Sequence, residues 1–484
     1  MSSRDPESHA TDLSRPVPDA EDYPELSPRW TESDKFVPRT FIRPILAFIQ
    51  YEAAGAFVML IAAACALVMA NSPLQDAYEA LRETRLDVTL GDLVHLDLTL
   101  VEWVNDALMT VFFFVVAMEI KREVTQGELA DPRRAALPVI AAAGGMLLPA
   151  CIYLLFNSGT STAGGWGVPV ATDIAFAVGV VTLLGNRVPS AAKIFLLTLA
   201  VADDVGGILV IAVFYSSDLK IGWLALVTIP VLLVLLLRRT GVRSVSPYVL
   251  LGAVTWFAMH ESGLHATLTG VLFGLLTPAW SYANPKFFGL HATELVDRIQ
   301  RRFDEGLTEV EHEENEADLA ELTRLARDCT SPLNTLIFKL EPWVAFAIVP
   351  AFAFLNSGVV FTRESLRSAL TSEVVWGIGL GLLLGKAVGI FGATWLAVKS
   401  GVGRLPRGVT WGMFTGVAAA GGIGFTVALF VANLAFSDPN VVDQAKVGIF
   451  AGSLLSGVVA YSLLRVATRN VSTAAGAVAT AEVT

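Results

Sequence analysis

The sequence predicts an all-α polytopic membrane protein of about twelve transmembrane helices, two of them interrupted, with a small outer β-hairpin. Three observations carry this expectation. Apolar residues fall in stretches about 20 long, the length that crosses roughly 30 Å of hydrocarbon. Hydrophobic residues make up 54% of the 484 positions and charged residues only 16%, with a mean hydropathy of +0.59. Three carboxylates and one amine, Asp173, Asp203, Asp204 and Lys386, nevertheless lie inside those stretches. Ionised groups at the bilayer centre cost roughly 2.5–3.5 kcal/mol each on insertion scales, so such a set argues for a functional site.

Residues 1–40 are polar and rich in Pro, Ser, Asp and Glu. They lack the basic start, short apolar run and small-residue cleavage site of a signal peptide, so a disordered cytoplasmic tail before an uncleaved helix is expected. A membrane domain follows over 41–470, with spans near 45–71, 101–121, 134–157, 166–185, 191–214, 221–238, 246–260, 263–280, 333–356, 374–398, 408–434 and 443–467. Residues 471–484, mostly Ala, Val and Thr, read as a second disordered tail.

Basic residues set the orientation. Lys121, Arg122, Arg133 and Arg134, then Arg187 and Lys193, then Arg238, Arg239 and Arg243, then Lys399, Arg404 and Arg407 all fall on alternate connections. Those connections and both termini are expected on the cytoplasmic side. In the first outer connection, apolar and polar residues alternate on either side of Gly91-Asp92, a hairpin signal. The hairpin serves either as a dimer contact or as a loop cover.

The connection over 281–331 is unusually long. Leu295, Val296, Ile299 and Phe303, then Leu319, Leu322 and Leu325, recur at helical spacing, which predicts two amphipathic helices joined by the acidic run EVEHEENEAD. They would lie on the membrane surface or pack on the domain, as a regulatory element or a solvated insertion. The net charge of -11 comes mainly from this insertion and the first tail, so it describes soluble extensions and not a nucleic-acid surface. Cys65, Cys151 and Cys329 are too scattered for a disulfide framework or a metal cluster and read as packing residues.

Two spans carry marks of interruption. The fourth reads GWGVPVATDIAFAVGVV, where Gly164, Gly165, Gly167 and Pro169 lead into Thr172 and Asp173. The eleventh reads GVAAAGGIGFTVALF, with Gly421, Gly422 and Gly424 together. Glycine costs about 1 kcal/mol relative to Ala within a helix, and proline removes a backbone donor, so unwinding is cheap at these places. Backbone groups freed there cannot face lipid and must line a cavity or meet protein, and paired interruptions point to a transport site. Small residues also serve simple close packing, so the carboxylate inside the first break is what favours function.

Asp203 and Asp204 are adjacent, and successive helix positions point about 100° apart. One can therefore meet a cation while the other meets an amine, and Lys386 is the amine available near mid-span. Three acids against one amine leave an excess of negative charge that a proton or a monovalent cation can neutralise, in competition for the same oxygens. Oxygen donors without His or Cys clusters suit a hard ion, and Thr172 with nearby carbonyls could complete its shell. No GxxxxGK[ST] loop is present, so nothing points to ATP as driving force.

The motifs MEIKREVTQGEL, VPVATDIAFAVGVVTLLGNRVPSAAKIFLLTLAVADDVG, GLHATLTGV, LLLGKAVGI and GIGFTVALFVANLAF together resemble the NhaA family of sodium/proton antiporters over nearly all of 45–467. The resemblance implies inverted repeats and two interrupted helices that cross at mid-membrane. It implies that Asp203 and Asp204 bind Na+ with Thr172, and that Lys386 pairs with Asp203. It places Asp173 between the half-helices, offsetting their positive N-terminal ends while Lys386 offsets the negative ones.

Glu119, Lys121, Arg122 and Glu123 match a segment that the family associates with pH response, although interfacial charges there also serve topology. Asp106 either matches a family acid or is simply an interfacial helix residue. Lys339 and Glu341 in FKLEPWV depart from a family pattern with His and an acid nearby, which separates alkaline activation from exchange itself. His265 reads as a hydrogen-bonded packing residue.

The expected activity is electrogenic exchange of cytoplasmic Na+ or Li+ for external H+, supporting sodium extrusion and cytoplasmic pH homeostasis, without enzymatic chemistry or cofactor. A homodimer in the bacterial cytoplasmic (inner) membrane is expected, with the lipid bilayer as surroundings and no nucleic-acid partner. The rival classes are an intramembrane aspartyl protease, whose GxGD context is absent around Asp173 and Asp203, and a cation channel.

Overall fold

The computed structural model describes residues 54–91, 94–215, 220–242, 244–281, 285–305 and 309–481. The expected tail over 1–40 and the first residues of the first span lie outside the described residues. Helix α1 (Ala54–Ala70) bends by 118° into the short α2 (Gln75–Arg82). Asp76, Glu79 and Arg82 make α2 amphipathic, and Tyr78 anchors it by donating to the Phe354 carbonyl at 2.6 Å. Strands β1 (Arg85–Leu90) and β2 (Val94–Thr99) pair antiparallel from Arg85↔Thr99 to Leu90↔Val94. Gly91 takes a positive φ of 59° at their junction, a conformation that needs no Cβ.

Helix α3 (Leu100–Gln126) starts at a capping box of Thr99 and Glu102. It contains a π-helical turn, Val104–Leu108. Helix α4 (Pro132–Asn157) starts on the Asp131 side chain with Pro at its first position, where a missing N–H is harmless. The next span is a 3-10 helix, Ala163–Val170, and α5 (Ile174–Thr182), separated by extended backbone. Helices α6 (Ser190–Phe214), α7 (Ile221–Arg239), α8 (Ser246–Ser262) and α9 (Leu268–Leu276) follow.

The second half repeats the pattern. After α10 (Pro285–Glu305) and α11 (Glu309–Asp328) come α12 (Pro332–Asn356), α13 (Arg363–Thr371) and α14 (Glu373–Lys399). The second interrupted span is α15 (Trp411–Ala420) and α16 (Phe425–Ala435), bent by 43°, before the final α17 (Pro439–Ala481). Each interrupted span thus lies between two long helices, α4 and α6 in one half and α14 and α17 in the other.

Among the described residues, eight helices are long and apolar enough to cross a membrane. The bent pairs α1/α2 and α15/α16 raise this to as many as ten, and the shorter helices α8 and α9 stand at the positions of the two remaining expected segments. Their outer surfaces carry Leu147, Leu155, Val213, Leu250 and Leu454, all more than 60% exposed. That much apolar surface is stable only against hydrocarbon.

Some expectations change. The span expected over 263–280 contains only the nine residues of α9, because Gly263 at φ 83° ends α8 and the chain turns before Leu268. At 1.5 Å per residue α9 rises roughly 14 Å, about half of the hydrocarbon. The acidic run EVEHEENEAD is not a link but the first half of α11, and α11 packs on α10 through Arg302, which meets Asp318 at 2.8 Å and Glu314 at 3.0 Å. Cys65 and Cys151 are exposed on their helices, so they do not act as packing residues. The backbone of 471–481 continues α17 as helix, in line with its alanine content.

Candidate functional site

The two interruptions cross. Between the 3-10 helix and α5 the backbone is extended, and the Asp173 N–H donates to the Ile423 carbonyl at 2.6 Å. A Cβ on Gly424 would stand 2.9 Å from the Ala171 carbonyl oxygen, so glycine is what lets the strands of backbone approach. Ser453 of α17 accepts the Gly424 N–H at 3.2 Å, which satisfies a donor that lipid could not.

Asp173 caps both halves. Its Oδ1 accepts the Phe176 N–H at 3.0 Å, and its Oδ2 accepts the Thr426 N–H at 3.2 Å and the Thr426 hydroxyl at 2.6 Å. Phe176 and Thr426 lie in the first turns of α5 and α16, where unpaired N–H groups carry partial positive charge. A single buried carboxylate therefore answers two helix N-termini.

Asp203 and Lys386 meet beside this crossing. Lys386, fully buried, ends the π-helical turn Gly381–Lys386 of α14, and its Nζ donates to Asp203 Oδ2. The Thr172 hydroxyl lies 2.6 Å from the same Oδ2 and 2.9 Å from the Gly421 carbonyl at the end of α15, so its one proton serves either acceptor. Asp203 Oδ1, also buried, has no hydrogen-bond partner among the described residues.

Asp204, one position on, projects about 100° round the helix from Asp203. With Asp203 it lines a cavity of about 10 Å³ between Phe112, Phe113 and Val116 of α3, Ile208 and Ile211 of α6, and Val427 of α16. Such a volume holds about one particle the size of water. A larger cavity, about 260 Å³, lies elsewhere, between 359–369 and the start of α17, and contains none of these acids. Among the described residues no group of three or more His, Cys, Asp or Glu could hold a metal ion.

The charged end of α3 divides into separate jobs. Lys121 Nζ donates to the Leu275 and Thr277 carbonyls, both at 2.7 Å, and so caps the C-terminus of α9. Glu123 accepts the Glu128 N–H at 2.9 Å and the Thr198 hydroxyl at 3.3 Å. Glu119 is near enough to Asp204 for their charges to interact, and Arg122 is exposed. Asp106 lies far from this cluster, against His260 at 3.4 Å, and His265 bonds the Tyr215 carbonyl at 2.7 Å.

Comparison with known proteins now decides the family. A family model described as Na+/H+ antiporter 1 matches residues 46–464. The chain belongs to the Na+/H+ antiporter 1 family. It is 47% identical over 433 residues to a protein named Na(+)/H(+) antiporter NhaA from Anaeromyxobacter sp. (strain Fw109-5), covering 88% of this chain and 92% of that one. It is 44% identical over 428 residues to the protein of that name from Oleidesulfovibrio alaskensis, covering 88% and 95%. A protein named Na(+)/H(+) antiporter NhaA 2 from Sorangium cellulosum is 45% identical over 434 residues, covering 89% and 91%.

As a member of this antiporter family the chain is a transporter and not an enzyme. The structure brings Asp203, Asp204, Thr172, Asp173 and Lys386 to one crossing, and leaves Lys121, Arg122 and Glu123 at the end of α3. Thr426 is the participant that sequence reasoning missed. Its signal was a hydroxyl two residues after the GIG break, where a helix N-terminus would place it beside the other half.

Proposed function

We propose that Na+ and H+ compete for Asp203 and Asp204 within the small cavity, with Thr172 as a further oxygen ligand, and that this competition drives Na+/H+ exchange. The observation that carries the reading is Asp203 Oδ1, buried and without a donor among the described residues, beside Asp204 in space for one small particle. A carboxylate oxygen so placed needs a cation or a proton. Two carboxylates, a hydroxyl and a carbonyl suit a hard monovalent ion held briefly, either Na+ or Li+.

Lys386 holds Asp203 while the site is empty of cation, and Asp173 supports the half-helices without touching the ion. Protonation of Asp204 releases the cation on one side; loss of that proton prepares the next cycle. More than one group can exchange protons for one cation, so the cycle carries net charge and responds to membrane potential. With the basic connections and both termini on the cytoplasmic side of a bacterial inner membrane, the cycle extrudes sodium and admits protons. Glu119, whose charge acts on Asp204, and Glu123 give this route a pH-responsive cytoplasmic mouth. The hairpin β1–β2 supplies a contact for a homodimer, and residues 281–331 form a cytoplasmic insertion.

Neither rival class gains support. A protease dyad needs two acids sharing a proton, yet Asp173 is occupied by three donors from the half-helices. Exchange is tested in everted vesicles by Na+-dependent dequenching of a pH-sensitive dye. Asp204→Asn abolishes dequenching on this reading, and undiminished exchange by that variant would reject it.

A further inference from the structure

Three asparagines from three membrane helices bond to one another above the acid cavity. Asn356, at the end of α12 and 2% exposed, donates to Asn105 Oδ1 at 2.8 Å and accepts from Asn105 Nδ2 at 3.3 Å. Asn433 of α16 donates to Asn356 Oδ1 at 2.8 Å, and Asn356 also donates to the Phe352 carbonyl at 3.0 Å. The π-helical turn Val104–Leu108 carries Asn105. π-turns of this kind recur at functional sites.

Each helix orders its residues the same way. On α3 the cavity residues Phe113 and Val116 come after Asn105, with Phe113 roughly 12 Å further along the axis. On α16 Val427 lines the cavity, Phe430 follows, and Asn433 stands roughly 9 Å beyond Val427. On α12 Phe352 lies one turn before Asn356. The three rings close a layer, with Phe113 and Phe430 centroids 5.1 Å apart and Phe352 and Phe430 6.4 Å apart. All three are nearly inaccessible, at 4%, 0% and 2% exposure. The amides therefore sit beyond a dry aromatic layer, on the side opposite Lys121 and Arg122.

We infer that Asn105, Asn356 and Asn433 form the outer gate of the ion pathway, a latch that ties α16 to α3 and α12 while the cavity is closed to the outside. The inference rests on the antiport reading above. Amides suit this place because their hydrogen bonds can be exchanged for water when the gap hydrates, whereas an unsatisfied group could not persist in a dry one. The Phe layer blocks the ion, and the amides hold the layer together. Releasing Asn433 frees the half-helix that also carries Thr426, the partner of Asp173, so gate and crossing move together.

The test reads accessibility without transport. Gly207 lines the cavity and a Cβ there meets open space, so Gly207→Cys, in a chain whose native cysteines are replaced, reports outward opening. An impermeant thiol reagent outside right-side-out vesicles should label Asn433→Ala at least about threefold faster than the parent. Asn433→Ser, which keeps a donor, should stay near the parent rate. Without the reporter cysteine, Asn433→Ala should raise the KM for Na+ on the cytoplasmic side and lower it on the outer side, a split that a merely structural role does not produce. Asn105→Ala removes the other arm and serves if the first variant does not insert. Equal labelling of the parent and of whichever alanine variant inserts would overturn the gate. Faster labelling with exchange absent from the parent itself would instead reject the antiport reading.

Discussion

The Thr426 hydroxyl donates to the Asp173 carboxylate at 2.6 Å, joining the first turn of one interrupted span to the cap of the other. Two helix N-termini thereby share one buried charge, and neither break could be filled by lipid. Thr426→Val keeps the shape and removes the donor. Hydrogen bonds to charged groups contribute about 1.5–3 kcal/mol, so a loss of stability of that order, seen as a lowered melting temperature in detergent, is expected with the Thr426 N–H bond intact.

Lys386→Ala leaves Asp203 as a buried charge with Thr172 as its remaining donor. Removing one partner of a buried pair destabilises by about 3–5 kcal/mol. Asp203→Asn in the same chain removes the stranded charge and should recover much of the loss. A double-mutant cycle on thermal unfolding checks this, and additive losses would show that the two groups are not coupled.

Thr172→Val tests the third oxygen. Its hydroxyl reaches both Asp203 Oδ2 and Gly421 O, so the variant loses a ligand without altering side-chain shape much. The KM for Na+ should rise about tenfold, the equivalent of one hydrogen bond of about 1.4 kcal/mol, as measured by dye dequenching at fixed pH.

Glycines separate by their surroundings. Gly424→Ala drives a methyl toward the Ala171 carbonyl and the Leu382 side chain, each 2.9 Å away, and should destabilise by about 1–3 kcal/mol. Gly392 in α14 faces open space, and Gly392→Ala should stabilise by up to about 1 kcal/mol through helix propensity. Paired melting curves decide both.

Much of the site was legible because its residues violate the logic of their neighbourhood. A charge in an apolar stretch and a glycine cluster in a helix both need a local reason, so Asp173, Asp203, Asp204, Lys386 and the two breaks announce themselves. Thr426 and Asn433 do not, since a polar side chain in a span can always bond its own helix, as Thr110 does to the Asp106 carbonyl at 2.5 Å. Which option is taken depends on the approach of distant helices. The length of α9 was hidden for a different reason, because apolar residues continue past Gly263 and Leu276 while the backbone does not stay helical. The acidic run was misread as a link because its charge masked good helix formers.

The central claim, that Na+ and H+ occupy the same carboxylates, is tested most directly by adding Na+ to the purified protein in weakly buffered solution and recording the pH. Binding should release protons, and Na+ affinity should rise with pH until the acids carry none; Asp204→Asn should release fewer. Equal Na+ affinity under acidic and alkaline conditions, with no proton released, would contradict the account.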